Sequence, residues 1–233
     1  MTDCTLRLAA VNARIAAAAA AAQPPPPRLL AVGKTRGAAD IRALHDAGQR
    51  AFGENYVQEA LAKMDALPDL PLEWHLIGHL QSNKVRAVAE RFDWVQSVDR
   101  LQLVDALARH RPASKPPLQV LVQVNIDDEP GKHGCRPDEA AALCEAVAAQ
   151  PTLALRGLMA IPAPDRDMAV RRAAFRALRA LFDALRVSFP QIDTLSMGMS
   201  DDLEAAVAEG ATLVRVGTAL FGPRPPPAST PLS

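Results

Sequence analysis

Eight short apolar runs alternate with helix-like segments along most of this chain, and this alternation constrains its fold more than any other feature. The helix-like segments carry apolar residues three and four positions apart, as in Leu101, Val104 and Leu107. The candidate strands are Leu29–Lys34, Ala51–Glu54, Glu73–Gly78, Trp94–Val98, Leu118–Asn125, Leu153–Ile161, Thr194–Met197 and Leu213–Gly217. Because each helical crossover returns the chain to the same end of the sheet, the pattern predicts parallel strands.

Two architectures accommodate eight such units. A doubly wound open sheet usually carries a Gly-x-Gly-x-x-Gly turn after its first strand, and this sequence has no such turn there. A (β/α)8 barrel usually needs about 250 residues, so this one would be small. Polar residues follow the ends of most strands, and in a barrel those ends form one rim around a single pocket. The sequence therefore favours an α/β fold built as a single (β/α)8 TIM barrel.

The two ends of the chain depart from this alternation. Seven consecutive alanines, Ala16 to Ala22, favour a leading helix over a secretory signal, because alanine forms helices well and is weakly apolar. The predicted organisation is an N-terminal helix and Pro-rich spacer at 1–27, a barrel at 28–223 and a Pro-rich tail at 224–233. The tail is expected to be extended and disordered.

Charge and cysteine content exclude several classes of protein. The 26 Lys and Arg residues balance the 26 Asp and Glu residues, which argues against a broad basic surface for nucleic acid. No apolar run is expected to approach the length of a membrane span. The cysteines, Cys4, Cys135 and Cys144, match no zinc-ligand spacing and are expected to be reduced thiols in a cytoplasmic protein.

The five histidines show no metal-binding pattern. His75 and His79 are four positions apart, but they straddle the end of a predicted strand and would not share a helix face. The remaining three, His45, His110 and His133, are expected at the surface. No metal site is predicted.

Lys34 sits between Gly33 and Thr35, so this stretch could be the end of a phosphate-binding P-loop. That motif needs a glycine five positions before Gly33, where the chain has Arg28, and residues 24–27 are prolines, which lack an N–H group. The P-loop is therefore disfavoured. Two interpretations remain: a lysine that reaches solvent at the strand end, or an inward lysine whose neutral amine attacks a carbonyl.

Two later segments favour an anion site. The segment 196–202 (SMGMSDD) and the segment 214–222 (VRVGTALFG) follow the seventh and eighth strands, where barrels recurrently bind phosphate. An ordinary capped turn is the alternative, since Ser200 could cap and Asp201 and Glu204 have capping-box spacing. A lysine opposite a phosphate site suggests pyridoxal phosphate, whose aldehyde bonds to an amine and whose phosphate is an anchor.

Segments from the first strand to the last resemble the pyridoxal-phosphate homeostasis protein family, the YggS/PROSC proteins. They are AVGKT (31–35), FGENYVQEA (52–60), EWHLIGHLQSNK (73–84), VNIDDEPGKHGC (124–135), LRGLMAIP (155–162), SMGMSDDLEAAVAEG (196–210) and VRVGTALFG (214–222). One departure is Gly33, where many members have serine. This change is expected to alter the local contacts of Lys34 but not its chemistry.

The resemblance implies a barrel like the N-terminal domain of alanine racemase with pyridoxal 5'-phosphate (PLP) as its cofactor. Seven residues would contact the cofactor: Lys34, Asn55, Ser196, Ser200, Arg215, Gly217 and Thr218. Lys34 would hold PLP as a Schiff base, and Arg215 would face the pyridine nitrogen. The phosphate would lie at Ser200, Gly217 and Thr218, with Ser196 nearby.

The resemblance also implies a non-catalytic, cytoplasmic monomer that carries or buffers PLP, with apo PLP-dependent enzymes as partners and neither nucleic acid nor membrane. The alternative is a PLP-dependent amino-acid racemase or a related fold-type III enzyme. Racemisation needs two bases, and in the racemases the second is a tyrosine from a second, β-rich domain. Here sixteen residues, 218–233, follow the last strand, and Tyr56 is the only tyrosine. An efficient racemase is therefore disfavoured.

Overall fold

Eight parallel strands pair in chain order and close into a barrel in the computed structural model, which describes residues 3–22, 25–127, 129, 131–163 and 167–222. The strands are β1 Arg28–Val32, β2 Ala51–Glu54, β3 Glu73–Leu76, β4 Trp94–Val98, β5 Leu118–Gln123, β6 Leu153–Met159, β7 Thr194–Ser196 and β8 Leu213–Val216. The barrel closes where β1 pairs with β8, with Leu30 beside Arg215. The predicted (β/α)8 barrel is confirmed, and the open sheet is wrong.

One helix precedes the first strand and another follows each strand. The helices are α1 Asp3–Ala22, α2 Ala38–Asp46, α3 Val57–Ala66, α4 Val85–Arg91, α5 Leu101–His110, α6 Ala140–Ala148, α7 Met168–Ser188, α8 Leu203–Ala208 and α9 Thr218–Phe221. Their apolar stripes face the sheet, as the periodicity predicts. In α5 the buried stripe contains Leu103, Val104 and Leu107, whereas Leu101 at the helix start is exposed.

The predicted strands are at the right places, but several extend beyond the observed ends. β1 ends at Val32 rather than at Lys34, and β3 ends at Leu76 rather than at Gly78. The residues beyond these ends leave the strand ladder and form loops at the carboxyl ends of the strands. We call this end of the barrel the rim.

The leading helix α1 packs against α2, α8 and α9 and buries Leu8, Val11, Ile15 and Ala19. By length and composition alone, α1 is long and apolar enough to cross a membrane, which corrects the expectation that no run approaches that length. Most of its apolar character comes from alanine, and its buried stripe lies on protein. Residues 23 and 24 of the spacer and the tail at 224–233 lie outside the described residues, so the domain boundaries stay a prediction.

The barrel interior is apolar on two sides and polar between them. Leu30, Ala51, Ile77 and Leu213 form one small cluster near β1, apart from the main core between strands and helices. A second cluster, near β5, contains Trp94, Leu121 and Met159. Buried polar side chains from β3, β4, β7 and β8 lie between these clusters, and they support the site described next.

Candidate functional site

A pocket of about 350 Å³ opens at the rim between the ends of β1, β2, β3, β6, β7 and β8. Its volume falls within the range of about 300–1,000 Å³ that small-molecule sites occupy. The pocket brings together six of the seven residues named from the sequence: Lys34, Asn55, Ser200, Arg215, Gly217 and Thr218. Barrel closure is the reason, because it pairs β1 with β8, at the two ends of the strand order, and so brings their loops to one pocket.

Lys34 lies in the turn after β1 and is exposed at the side of the pocket. The sequence predicted Lys34 at the end of the first strand, either reaching solvent or facing inward, but β1 ends two residues earlier, at Val32. The carbonyl just before it, at Gly33, accepts a 2.8 Å hydrogen bond from the ammonium of Lys63, which also pairs with Glu54 at 2.7 Å. A buried ion pair therefore anchors the backbone that carries Lys34.

Gly33 leaves room for this anchor. A Cβ atom at Gly33 would lie 2.5 Å from Glu54 Oε1 and 2.8 Å from Ile41 Cδ1. Both side chains would have to shift to admit it. Burial raises the pKa of Glu54, and the neighbouring Lys63 opposes that change. Glycine in place of the family's serine at position 33 thus changes the packing of Glu54 and Ile41 around the turn. The side chain of Lys34 stays at the pocket.

Arg215 rises from β8 into the pocket floor, and only 3% of it is exposed. One guanidinium nitrogen donates to Ser196 Oγ at 2.7 Å, and another donates to the Ala160 carbonyl at 2.9 Å. Burial lowers the pKa of Arg215 to about 10, against the opposing charge of Asp202. Arg215 therefore stays protonated at neutral pH and acts as a hydrogen-bond donor.

Ser196 lies beneath this floor rather than on the pocket wall, and it continues a buried series of hydrogen bonds that starts at Arg215. Its hydroxyl donates to Gln96 Oε1 at 2.7 Å, and Gln96 Nε2 lies 2.9 Å from His75 Nδ1. His75 Nε2 lies 2.7 Å from a carboxylate oxygen of Glu73, which also accepts from Arg28 at 2.7 Å. The structure thus brings Ser196 to Arg215 and not to the pocket surface.

The hydrogen bonds in this series all point the same way. The Glu73 carboxylate can only accept, so His75 carries its proton on Nε2 and accepts from Gln96 on Nδ1. Burial lowers the pKa of His75, which keeps the ring neutral. Burial acts to raise the pKa of Glu73, but the hydrogen bond from His75 and the charge and hydrogen bond of Arg28 lower it to about 2. Every group therefore donates toward Glu73, starting from Arg215.

The loop after β7 turns sharply before α8. Gly198 has a φ of +90°, and a Cβ atom there would lie 2.4 Å from Ala206 Cβ, so glycine permits both the turn and the close packing. The carboxylate of Asp202, which precedes α8, accepts a 2.6 Å hydrogen bond from the Met199 N–H. The loop therefore has a fixed shape at the pocket.

The capping box that the sequence offered as the alternative for this loop does not form. α8 begins at Leu203, and Glu204 pairs with Arg14 of α1 at 2.8 Å instead of capping the helix. Arg14 also donates to the Ser200 carbonyl at 3.1 Å, so the leading helix supports the loop. Long-range pairs of this kind have no signal in sequence spacing.

Asn55 carries a side-chain oxygen that can accept a hydrogen bond from a ligand. Within the described residues its Oδ1 atom is buried without a hydrogen-bond partner, although Asn55 lines the pocket. Buried polar atoms are paired in most native structures. An unpaired one facing a pocket indicates a place where a ligand completes the site.

Sequence reasoning missed other parts of the pocket. Ile77, Ile161 and Met199 supply its apolar surface, and Arg36 and Asp201 add charge. The apolar residues follow strands and look like ordinary core positions, so sequence alone does not distinguish them. Gln96 also gave no signal, because a glutamine inside a predicted strand has no motif.

The chain is similar to proteins of known family. Residues 6–225 match the family described as alanine racemase, N-terminal domain. A pyridoxal phosphate homeostasis protein from Pseudomonas aeruginosa is 55% identical over 226 residues, covering 96% of this chain and 97% of that protein. The protein of that name from Escherichia coli K12 is 50% identical over 229 residues, with coverages of 96% and 98%.

A solved structure shares the fold over nearly the same span. PipY of Synechococcus elongatus PCC7942, with PLP bound, is 39% identical with a TM-score of 0.83. The match covers 94% of this chain and 100% of PipY.

Proposed function

The chain belongs to the alanine racemase N-terminal domain family and, within it, to the pyridoxal phosphate homeostasis proteins, and we propose that it binds PLP in the rim pocket and serves intracellular PLP homeostasis without efficient catalysis. The observation that carries this proposal is the convergence of six residues from distant strands on one pocket. The PLP-bound state of PipY, whose fold this chain shares, supports it.

The residues present suit PLP. The exposed amine of Lys34 is the group that would bond to the aldehyde carbon. Ser200, after β7, and Thr218, after β8, line the pocket, and their hydroxyls can donate to phosphate oxygens. The unpaired Oδ1 atom of Asn55 can accept from a ligand group. Together these residues offer an amine for the aldehyde and donors for the phosphate.

The floor of the pocket explains why bound PLP would do little chemistry. PLP supplies an electron sink when it is bound, and the sink is strongest when its ring nitrogen is protonated. Arg215 has only donor groups, so a ring nitrogen that meets it must be unprotonated. Among the described residues, two side chains on the pocket wall can give and take protons, Lys34 and Asp201. Asp201 belongs to the loop after β7, where the phosphate would lie, so Lys34 alone would serve the reacting end. This set favours retention of the cofactor over turnover.

The same arrangement suits a carrier. Lys34 is exposed, so a bound aldehyde can be reached by water or by another amine. We infer that the protein gives PLP to apo PLP-dependent enzymes, as a monomer in the cytoplasm. Transfer from the loaded protein to an apo-enzyme, followed by the recovery of that enzyme's activity, measures this step.

Reductive trapping tests the binding site. The PLP-loaded protein is treated with borohydride, digested, and mapped by mass spectrometry. The expected product is a single modified peptide that contains Lys34, and Lys34→Ala is expected to abolish it. Lys115→Ala, in the loop between α5 and β5 at the opposite end of the barrel, is the matched control and should label like the wild type. A main adduct on Lys84 or Lys132 would contradict the assignment.

A further inference from the structure

A second group of polar side chains lies on the rim outside the PLP pocket. His79 follows β3, Asp99 follows β4, and His133 lies in the loop after β5. One ligand atom from each residue lies within 4.8 Å of the other two. The two imidazole rings stack, with centroids 3.9 Å apart and 16° between their planes. Three side chains of metal-ligating type therefore meet where three successive strands end.

The loop that carries His133 is fastened to the barrel. Gln123 at the end of β5 donates a 3.2 Å hydrogen bond to the His133 carbonyl. Two residues later, Cys135 pairs with Val124 as an isolated parallel bridge. The His133 backbone is therefore held at its carbonyl and two residues later, and its exposed ring stacks on that of His79.

Asp99 is also held in place. Its side chain is 10% exposed, and one carboxylate oxygen accepts a 2.6 Å hydrogen bond from Arg100. Arg100 donates in addition to the Leu80 carbonyl at 3.0 Å, directly after His79 in the chain. Arg100 thus links the ends of β3 and β4, and within the described residues the second oxygen of Asp99 has no hydrogen bond.

The chemistry of this set matches a transition-metal ion. Imidazole nitrogen and carboxylate oxygen both bind Zn²⁺ at about 2.0–2.2 Å. Ligand atoms on one such ion therefore lie roughly 3.0–3.5 Å apart. The two exposed rings would have to rotate out of their stacked arrangement to bring their nitrogens to this spacing. Two imidazoles favour Zn²⁺, Ni²⁺ or Co²⁺ over Mg²⁺ and Ca²⁺, which take oxygen ligands.

We propose that His79, Asp99 and His133 bind one divalent transition-metal ion of the Zn²⁺ class. The ion would take one nitrogen from each histidine and one oxygen from Asp99, and its open positions would hold water. The described walls of the PLP pocket include none of these residues, so the metal site is separate from that pocket. Binding would join the loop after β5 to the end of β3 and order that side of the rim.

Calorimetric titration with ZnCl₂ tests the proposal. The full chain is used without an affinity tag, with reduced thiols, after treatment with a chelator. We expect one ion per chain, and we expect His79→Ala, His133→Ala and Asp99→Asn each to weaken binding roughly tenfold or more. His110→Ala is the matched control, because His110 ends α5 at the opposite end of the barrel and should leave binding unchanged.

Three outcomes would overturn the proposal: no stoichiometric binding by the wild type, unchanged affinity in both histidine variants, or loss of binding in Cys135→Ser. The two histidines are exposed, so their alanine variants are expected to fold, and circular dichroism checks this. The titration is run with and without PLP, and one ion per chain is expected in both forms. A failure of PLP binding is therefore distinguishable from a failure of the metal site.

Discussion

The floor of the PLP pocket and its edge are built differently. The floor consists of Arg215 and the chain beneath it through Ser196, Gln96 and His75, in which each described polar group has a partner. The edge consists of Lys34, Asn55, Ser200 and Thr218, among which an Asn55 oxygen has no partner within the described residues. The protein fixes the floor before a ligand arrives, whereas the ligand completes the edge.

The cause of this difference is solvent. Polar groups inside the barrel have no water to bind, so each must be satisfied by the protein or cost stability. Groups on the rim exchange protein partners for water with little loss. Substitutions in the floor should therefore reduce stability, and substitutions at the edge should reduce ligand affinity. The predictions that follow test this division, beginning with the pair that anchors the edge from below.

The largest effect is expected from Lys63→Ala. This change leaves the Glu54 carboxylate buried without its counter-ion, at a cost of about 3–5 kcal/mol in the free energy of unfolding. Urea unfolding measures it, with Lys115→Ala as an exposed lysine control expected within about 0.5 kcal/mol of the wild type. A loss below about 1 kcal/mol would show that the Gly33 turn does not depend on the buried pair.

Gln96→Leu removes the hydrogen bonds that join Ser196 to His75 beneath the pocket floor. Ser196 and His75 each lose a buried partner, which should lower the free energy of unfolding by about 2–4 kcal/mol. PLP affinity should also fall, because Arg215 is no longer held through Ser196. Gln102→Leu, at an exposed glutamine of α5, is the control for the loss of an amide. If both variants have the same free energy of unfolding, the hydrogen-bond series through Gln96 does not stabilise the fold.

Ser200→Ala tests the edge. It removes a hydrogen bond to a charged phosphate, worth about 1.5–3 kcal/mol, which corresponds to roughly tenfold or more weaker PLP binding. Stability should stay within about 0.5 kcal/mol of the wild type. Pyridoxal, which lacks the phosphate, should bind poorly and equally to both proteins. Equal affinity of the wild type for pyridoxal and PLP would remove the case for a phosphate site in this loop.

The smallest effect concerns pH and Glu73. The pKa of Glu73 is about 2 in the folded protein against an ordinary value of 4.5, so its ionised form stabilises the fold above pH 4.5. That contribution is lost as the pH falls from 4.5 toward 2. The stability difference between wild type and Glu73→Gln should therefore be larger at pH 6 than at pH 3. The effect is modest because 33% of the side chain is exposed.

Urea unfolding at the two pH values measures this difference. Glu145→Gln, at an exposed glutamate of α6, is the control, and its difference from the wild type should change little with pH. The difference in the free energy of unfolding between wild type and Glu73→Gln could instead stay constant or grow on acidification. That result would mean that the ionised Glu73 carboxylate does not accept the last hydrogen bond of the series.

The edge residues can be predicted from the sequence, whereas most of the floor residues cannot. The edge residues follow strand ends and belong to recognisable segments, so the sequence predicts Lys34, Ser200 and Thr218 as site residues. The floor partners Gln96 and His75 come from β4 and β3, and only barrel closure turns them toward β7 and β8. Neither spacing nor composition contains that information.

Two other misses have the same origin. Lys63 looks like a surface charge on a helix, yet it is buried against Glu54 because α3 packs over the end of β2. His79 and His133 meet although they are fifty-four positions apart, since the ends of β3 and β5 lie on the same rim. Contacts between loops of different strands require the three-dimensional arrangement.

The central claim is that the floor lets this protein hold PLP while doing little chemistry with it. The most direct test is incubation of the PLP-loaded protein with a panel of L-amino acids in D₂O, with α-deuterium and chirality measured over time. The account predicts transfer of PLP to an apo-enzyme and no D-isomer accumulating at an enzymatic rate. Rapid α-deuterium exchange with D-isomer accumulating near the ~10 s⁻¹ typical of enzymes would contradict it.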